Sequence, residues 1–361
     1  MHLATPLAVR VLHDTGIRDA IADGSITVSP SITDDQVQTA TLDVRIGAAR
    51  VYDKESWALA ALHATPYQEP TSEFAHRTPD EKDAPIHIPP GAFAELFLRE
   101  RIEAPSYWIT HELRSSMGRR GLFPTNMILE QEDGAQYISV WNHFPRPVTL
   151  YSGEKFAQLF FHPPHEYPAD GHVVTDVDRI AELLPDLAAR GSITPEGYVR
   201  FDLGTFVKRA IPSPEPLDTK RKYPDEELFE NVPLERRVFG PEESIPRLRA
   251  GEFCIAQLTP RLHLPATIGI RLLAGVPINA RSPVPRGYTD LQRVNAGWVD
   301  PGYEGNITAH PFRWHDGLRL EEGMPFAYGL VYEYETACGR PYGSSALGSH
   351  YQGSSGTSAR V

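Results

Sequence analysis

The chain is poor in cysteine, with only Cys254 and Cys338 among its 361 residues. The two form no CxxC and no Cys/His cluster, which leaves no basis for a zinc ligand set or a redox pair. Free thiols in a reducing, cytoplasmic setting are expected. Basic charge is also short: 35 Lys and Arg against 47 Asp and Glu give a formal net charge of −12. A duplex-binding protein needs a basic footprint, so no nucleic-acid partner is expected. A single triphosphate needs only a few local donors and is compatible with this charge. No apolar run reaches bilayer length. The N-terminal MHLATPLAVRVLHDTG lacks the basic and apolar regions of a signal peptide, and no membrane partner is expected. Helical periodicity is scarce. Residues 6–22 carry it, as do residues 177–189, which Pro185 ends or kinks.

Turns and short apolar runs are abundant. Thirty-three prolines and 28 glycines punctuate segments such as SITVSP, TLDVRIG, YISVWN, VTLYSG, AQLFFHPP, EFCIAQL, ITAHPF and YGLVYEYE. These read as strands of a mainly β protein. The length suits two domains of ordinary size. GAFAELFLRERIEAP (91–105) and GEFCIAQLTPRLHLP (251–265) run from Gly to Pro with Phe third, at an offset of 160. TLDVRIG (41–47) faces RFDLG (200–204), and LYSGEKFAQLFF (150–161) faces LEEGMPFAYGLVY (320–332). Three matches in one order predict a duplicated β domain, divided into 1–175 and 176–361. The Pro-rich, charged stretch 211–228 reads as a loop inserted in the second half.

Three segments carry chemistry. ELRSSMGRRGL (112–122) sets two hydroxyls among arginines and glycines. Glycine lets backbone approach a ligand, and guanidinium forks suit phosphate oxygens. Taken alone, the segment could equally be a solvated turn. VNAGWVDPGYEGNI (294–307) contains a tight Asp-Pro-Gly-Tyr turn that places Asp300 at a strand end and Tyr303 just past it. A carboxylate there can orient a water or a sugar hydroxyl, and the ring can pack on a deoxyribose. An ordinary hairpin turn would look the same. The Gly/Ser-rich tail 339–356 embeds Arg340, Tyr342, His350, Tyr351 and Gln352. Its composition reads either as a flexible terminus or as a segment that closes over a phosphate chain.

Together and in this order, the three segments resemble the dUTPase and dCTP deaminase superfamily. RSSMGRRGL is similar to its RSSLARLGL motif and NAGWVDPGYEG to its AGxIDPGYxG motif. SGEKFAQLFF is similar to a GxxIAQLxF strand, and TLDVRIG to an SLDLRLG strand. The tandem form of that superfamily also divides the two motifs between its repeats. The resemblance implies two distorted jelly-roll β-barrels in tandem. It implies phosphate contacts from Arg114, Ser115, Ser116 and Arg119. It implies base and sugar contacts from Asn295, Gly297 and Tyr303, with Asp300 as a catalytic candidate. Tyr351 and Gln352 would close over the nucleotide, with Gln352 on the phosphates, while His350 stands where dCTP deaminases often carry Lys. Mg²⁺ would ride on the nucleotide phosphates, with no zinc required, and a homo-oligomer is expected because the family builds its sites at interfaces.

The resemblance breaks at one point. Its dCTP deaminases use a Glu on the strand after the Asp-Pro-Gly turn, and this chain has His310 there and Ser139 in the first repeat. The H-x-E…P-C-x-x-C site of zinc deaminases is also missing. Three readings stay open. His310 does the acid/base work, as its intrinsic pKa permits. Another carboxylate, such as Glu304, Glu130 or Glu132, reaches the site. Or the chain does not deaminate, and it is a dUTP diphosphatase using Asp300 or a non-catalytic nucleotide binder. Of these, dCTP deamination to dUTP and ammonia is the expectation.

Overall fold

Two runs of five strands follow one plan. In the first half they are β1 (Leu42–Tyr52), β2 (Phe93–Leu98), β3 (Trp108–Leu113), β4 (Ala135–Asn142) and β5 (Lys155–His162). In the second half they are β6 (Val199–Ala210), β7 (Cys254–Thr259), β8 (Ile268–Ala274), β9 (Thr308–Ala309) and β10 (Pro325–Tyr334). Antiparallel pairing gives the order β3-β5-β1-β2-β4 in one and β8-β10-β6-β7-β9 in the other. Numbered within each half, both orders read third, fifth, first, second, fourth. The computed structural model describes residues 10–52, 83–164, 170–234, 247–248, 252–274, 297–309, 318–345, 347 and 351–353.

The duplication reaches down to the bulges. Pairing of β1 with β2 shifts register between Ile46 and Ala48, and pairing of β6 with β7 shifts between Leu203 and Val207. Gly47 and Gly204 sit at these shifts. A Cβ on Gly47 would lie 3.1 Å from the Arg99 backbone, and one on Gly204 would lie 3.2 Å from the Gln257 carbonyl oxygen. A bulge brings backbone close to backbone, and glycine is the residue that permits it. This accounts for the shared glycine of TLDVRIG and RFDLG.

Each half has its own apolar core. Val44, Leu96, Ile138 and Phe156 belong to the first, and Phe201, Leu258, Ile270 and Val331 to the second. The halves also share packing. Phe253, just before β7, contributes to the first core and stacks edge-on with Phe123 and Phe144 at 5.9 and 5.5 Å. Such ring pairs add specificity to the area they bury. Two short strands before residue 175, Arg10–Leu12 and Asp170–Val174, hydrogen-bond into the second sheet through β10.

Three local expectations change. The helix expected over 6–22 is α1, Asp14–Ala22, preceded by the strand Arg10–Leu12. His13 caps it, its Nδ1 accepting the Thr15 N–H at 3.2 Å. The stretch 211–228 is not only loop. Leu217–Asp218 pairs in parallel with Val148–Tyr151, and Asp225–Leu228 forms one helical turn, because Leu217 and Leu228 are both buried in the first core. The third concerns the arginine-rich segment, which is partly helical and is described below. Pro185 behaves as expected. It separates the helix Val177–Leu183 from the helix Pro185–Ala189, where it takes the first-turn position. Among the described residues no helix is long and apolar enough to cross a membrane.

Candidate active site

After β3 the chain turns through one helical turn, Ser115–Arg119. Arg114 is extended at its start, and its carbonyl accepts the Met117 and Gly118 N–H groups at 2.8 and 3.2 Å. Met117 anchors the turn in the core, and Gly121 ends it at φ +72°. A Cβ on Gly121 would meet the Phe144 backbone nitrogen at 2.6 Å, so no other residue fits there. This leaves Ser115 exposed and Arg114 half-buried at a mouth, with Arg119 buried below. Arg120 faces away. It pairs with Glu154 at 3.6 Å and donates to the Thr219 carbonyl oxygen at 3.2 Å, so its role is to hold the 211–228 stretch.

The second motif folds as its residues dictate. Tyr303 N–H donates to the Asp300 carbonyl oxygen at 3.1 Å, and Gly302 takes φ +86°. That is a β-turn with Pro and Gly in the positions their backbones favour. The tail closes on it. Tyr342 N–H donates to the Pro301 carbonyl oxygen at 2.8 Å, and the Tyr342 hydroxyl accepts the Tyr351 N–H at 3.1 Å. Gln352 donates to the Gly302 carbonyl oxygen at 3.2 Å and accepts the Glu304 N–H at 3.1 Å. The described part of the tail is therefore latched to the turn.

The two motifs meet in one chain. A cavity of about 140 Å³ is lined by Arg114, Ser115 and Arg119 from the first half and by Gly297, Asp300 and Tyr303 from the second. Tyr351 of the tail lines it too. The Arg119 guanidinium stacks on the Tyr351 ring at 4.3 Å and donates to Thr308 Oγ1 at 3.2 Å, so it bridges the halves. Ser116 does not line the cavity, and Gln352 is held on the turn backbone. Asn295, His310, Arg281 and His350 lie outside the described residues. Of the other acids considered from sequence, Glu130 accepts from Ser139 Oγ at 2.6 Å, and Glu304 pairs with Arg261 at 2.9 Å; neither lines the cavity, nor does Glu132, which pairs with Arg50.

Burial shapes the electrostatics. Asp300 touches the cavity, but protein surrounds it otherwise. Burial pushes its pKa up to about 7, and the nearby Asp43 and Glu112 carboxylates add to the shift. Asp43 lies wholly buried beneath Arg114, whose Nε is 3.6 Å from Asp43 Oδ2, and burial raises its pKa as well. Tyr303 is raised to about 12 by burial, and its hydroxyl donates to the Asn306 carbonyl oxygen at 2.7 Å. It therefore stays neutral, a ring wall and not an acid.

One further residue was not singled out by motif. Glu112, two positions before Arg114 on β3, lines the cavity and is buried. Burial raises its pKa, against the pull of Arg271, whose Nη2 lies 3.5 Å from Glu112 Oε1. Gly297 lies directly against it: a Cβ there would come within 2.0 Å of Glu112 Oε1. The available sequence signal was an acidic residue spaced two from Arg114 on a strand, hence on the same face. Its partners come from the other half of the chain.

Among the described residues one group could ligate a metal: His13, Asp14 and Cys338, all buried and none lining the cavity. Their atoms are already engaged. Both His13 ring nitrogens have partners, Thr15 and Thr336; Asp14 accepts from the Gly339 N–H at 3.0 Å; and burial pushes the Cys338 thiol up, against thiolate formation. The group ties the C-terminal segment to the start of α1.

Comparison with known proteins agrees with this picture. Residues 11–163 match the family model described as dCTP deaminase-like. The chain is 25% identical over 190 residues to the dUMP-forming dCTP deaminase of Methanosphaera stadtmanae, covering 49% of this chain and 92% of that protein. It is 28% identical over 191 residues to the protein of that name from Bifidobacterium adolescentis, covering 52% and 85%. The crystal structure of 2′-deoxycytidine 5′-triphosphate deaminase from Agrobacterium tumefaciens superposes with a TM-score of 0.64 at 16% identity, covering 90% of this chain and 98% of that one. That likeness extends over both halves and establishes the fold. Residues 11–163 thus carry a dCTP deaminase-like domain, and the whole chain shares the fold of the solved deaminase.

Proposed function

We propose that the chain deaminates dCTP to dUTP and ammonia in the cavity between its halves. The observation that carries the reading is the meeting of Arg114, Ser115 and Arg119 with Asp300 and Tyr303 around one space in a single chain. Arg114 at the mouth and Arg119 below it suit a triphosphate, with Ser115 supplying a hydroxyl donor beside them. Tyr303 offers a face to the deoxyribose, and Asp300 a carboxylate to the sugar hydroxyl or to water. Tyr351, stacked on Arg119, covers the phosphate end. Two arginines neutralise only part of a triphosphate's charge, so Mg²⁺ would arrive with the nucleotide, held by phosphate oxygens and water.

Relatives named as dUMP-forming give the test its second arm. The purified chain is incubated with dCTP and, separately, with dUTP. Nucleotides are separated by chromatography, and ammonia and pyrophosphate are measured. Ammonia with dUTP from dCTP supports the reading. Ammonia with pyrophosphate and dUMP would add a diphosphatase step. Pyrophosphate from dUTP without ammonia from dCTP would make the chain a diphosphatase, and saturable binding with no turnover would make it a binding protein.

A further inference from the structure

We propose that Glu112 is the catalytic acid/base of this site, the carboxylate that carries protons between water and the cytosine ring. The inference rests on the deaminase reading above and identifies which group performs its chemistry.

Deaminating cytosine needs one group that moves two protons. As the water oxygen bonds to C4, the C4–N3 π pair moves to N3. The proton leaving water passes to the carboxylate and then to N3. The added hydroxyl next gives its proton to the same carboxylate, which passes it to the exocyclic nitrogen. The C4–N bond breaks with its electron pair, ammonia leaves, and the C4 carbonyl forms. Atoms and charge balance, and the carboxylate is returned unchanged.

Among the described residues only two acids line the cavity, Glu112 and Asp300. Depth separates their tasks. Ser115 is exposed and Arg114 half-buried, whereas Glu112 keeps 8% of its surface. A charged triphosphate belongs at the wet mouth and a neutral base at the dry end. Glu112, near the end of its strand and two residues before Arg114, lies deeper than Arg114 and Ser115. Its side of the cavity is assigned to the base; Arg119, 5% exposed, reaches the phosphates from below. Asp300 belongs to the turn that carries Tyr303, the sugar wall.

Glu112 is also equipped for the task. Arg271, itself 2% exposed, supplies a counter-charge for the ionised form from 3.5 Å, too far for a strong hydrogen bond. Among the described residues neither Glu112 oxygen accepts a hydrogen bond, and Glu112 borders the cavity. A buried ion pair kept only for stability would be closed and fully hydrogen-bonded. Gly297 leaves room for the carboxylate at the cavity wall, because any side chain there would displace it. Burial raises the Glu112 pKa, and the Arg271 guanidinium pulls it back down.

The test uses the full chain, with Glu112→Gln and Glu112→Asp as variants. Ammonia release from dCTP gives kcat, and calorimetric titration with dCTP gives Kd. Glu112→Gln keeps the size of the side chain and should lower kcat by about 10²–10⁴-fold, with Kd changed only a few-fold. Glu112→Asp keeps the charge and the Arg271 pairing, and should retain the wild-type fold with a reduced kcat. Wild-type turnover in Glu112→Gln overturns the assignment, as does a loss of binding that accounts for the loss of rate. If the unmodified chain binds dCTP but releases no ammonia, the deaminase reading fails first, and the role of Glu112 falls with it.

Discussion

Replacing Gly297 by alanine probes the site by a single methyl group. The Gly297 backbone does not lie in the left-handed region, so alanine costs nothing there conformationally. The new Cβ would stand 2.0, 2.4 and 2.6 Å from Glu112 Oε1, Cδ and Oε2. Ordinary contact between carbon atoms needs about 3.5 Å, so the carboxylate must retreat by an ångström or more. As the far end of a flexible side chain at the cavity wall, it can shift without moving any backbone. The cost in stability is therefore small, and the effect falls on where the carboxylate sits. A displacement of about 1 Å at a reacting group costs on the order of 10²-fold in rate. The assay pairs ammonia release with a thermal melt. Gly297→Ala should fold, melt close to the unmodified chain, and lose about 10²-fold in kcat. A well-folded variant with wild-type kcat would show that the seat of the carboxylate against Gly297 does not matter to the reaction, and its assigned role would go with it.

Three more outcomes follow from the same geometry. Gly121→Ala forces a left-handed residue and drives a methyl to 2.6 Å from the Phe144 nitrogen; it should cost about 2–4 kcal/mol in urea unfolding, and an unchanged midpoint would refute the packing described for the Ser115–Arg119 turn. Arg114→Ala should weaken dCTP binding by about 1.5–3 kcal/mol in calorimetry, and unchanged affinity would remove Arg114 from the phosphate contacts. Asp300 has a folded-state pKa raised to about 7, above its unfolded value, so its contribution to stability is present below about pH 4 and is lost as pH rises through 7. The ligand-free chain should therefore lose more stability between pH 5 and pH 8 than Asp300→Asn does, and parallel profiles for the two would contradict the shift.

Strand positions were legible because burial in a sheet leaves local traces. TLDVRIG, YISVWN and AQLFFHPP are all strands, and the shared glycines of the two repeats mark matching bulges. The Asp-Pro-Gly-Tyr turn was legible because Pro and Gly dictate it. Less so was the arginine-rich segment, whose helical turn of five residues is too short to show a period. For the tail, composition left a flexible terminus and a closing segment both open; in the structure Tyr342 and Gln352 hydrogen-bond to the turn backbone and Tyr351 to the Tyr342 hydroxyl. Glu112 escaped notice for a related reason. Its local mark in the sequence is slight, a place two residues before Arg114. Arg271 and Gly297, which give it its chemistry, arrive from the other half of the chain.

The central claim is that motifs from both halves of one chain bracket one nucleotide. A crystal structure of the slow Glu112→Gln variant with dCTP tests it most directly. The account predicts the triphosphate on Arg114, Ser115 and Arg119, the deoxyribose against Asp300 and Tyr303 of the same chain, and C4 of the base turned toward residue 112. A nucleotide bound elsewhere, or one held by Arg114 of one chain and Asp300 of another, would contradict it.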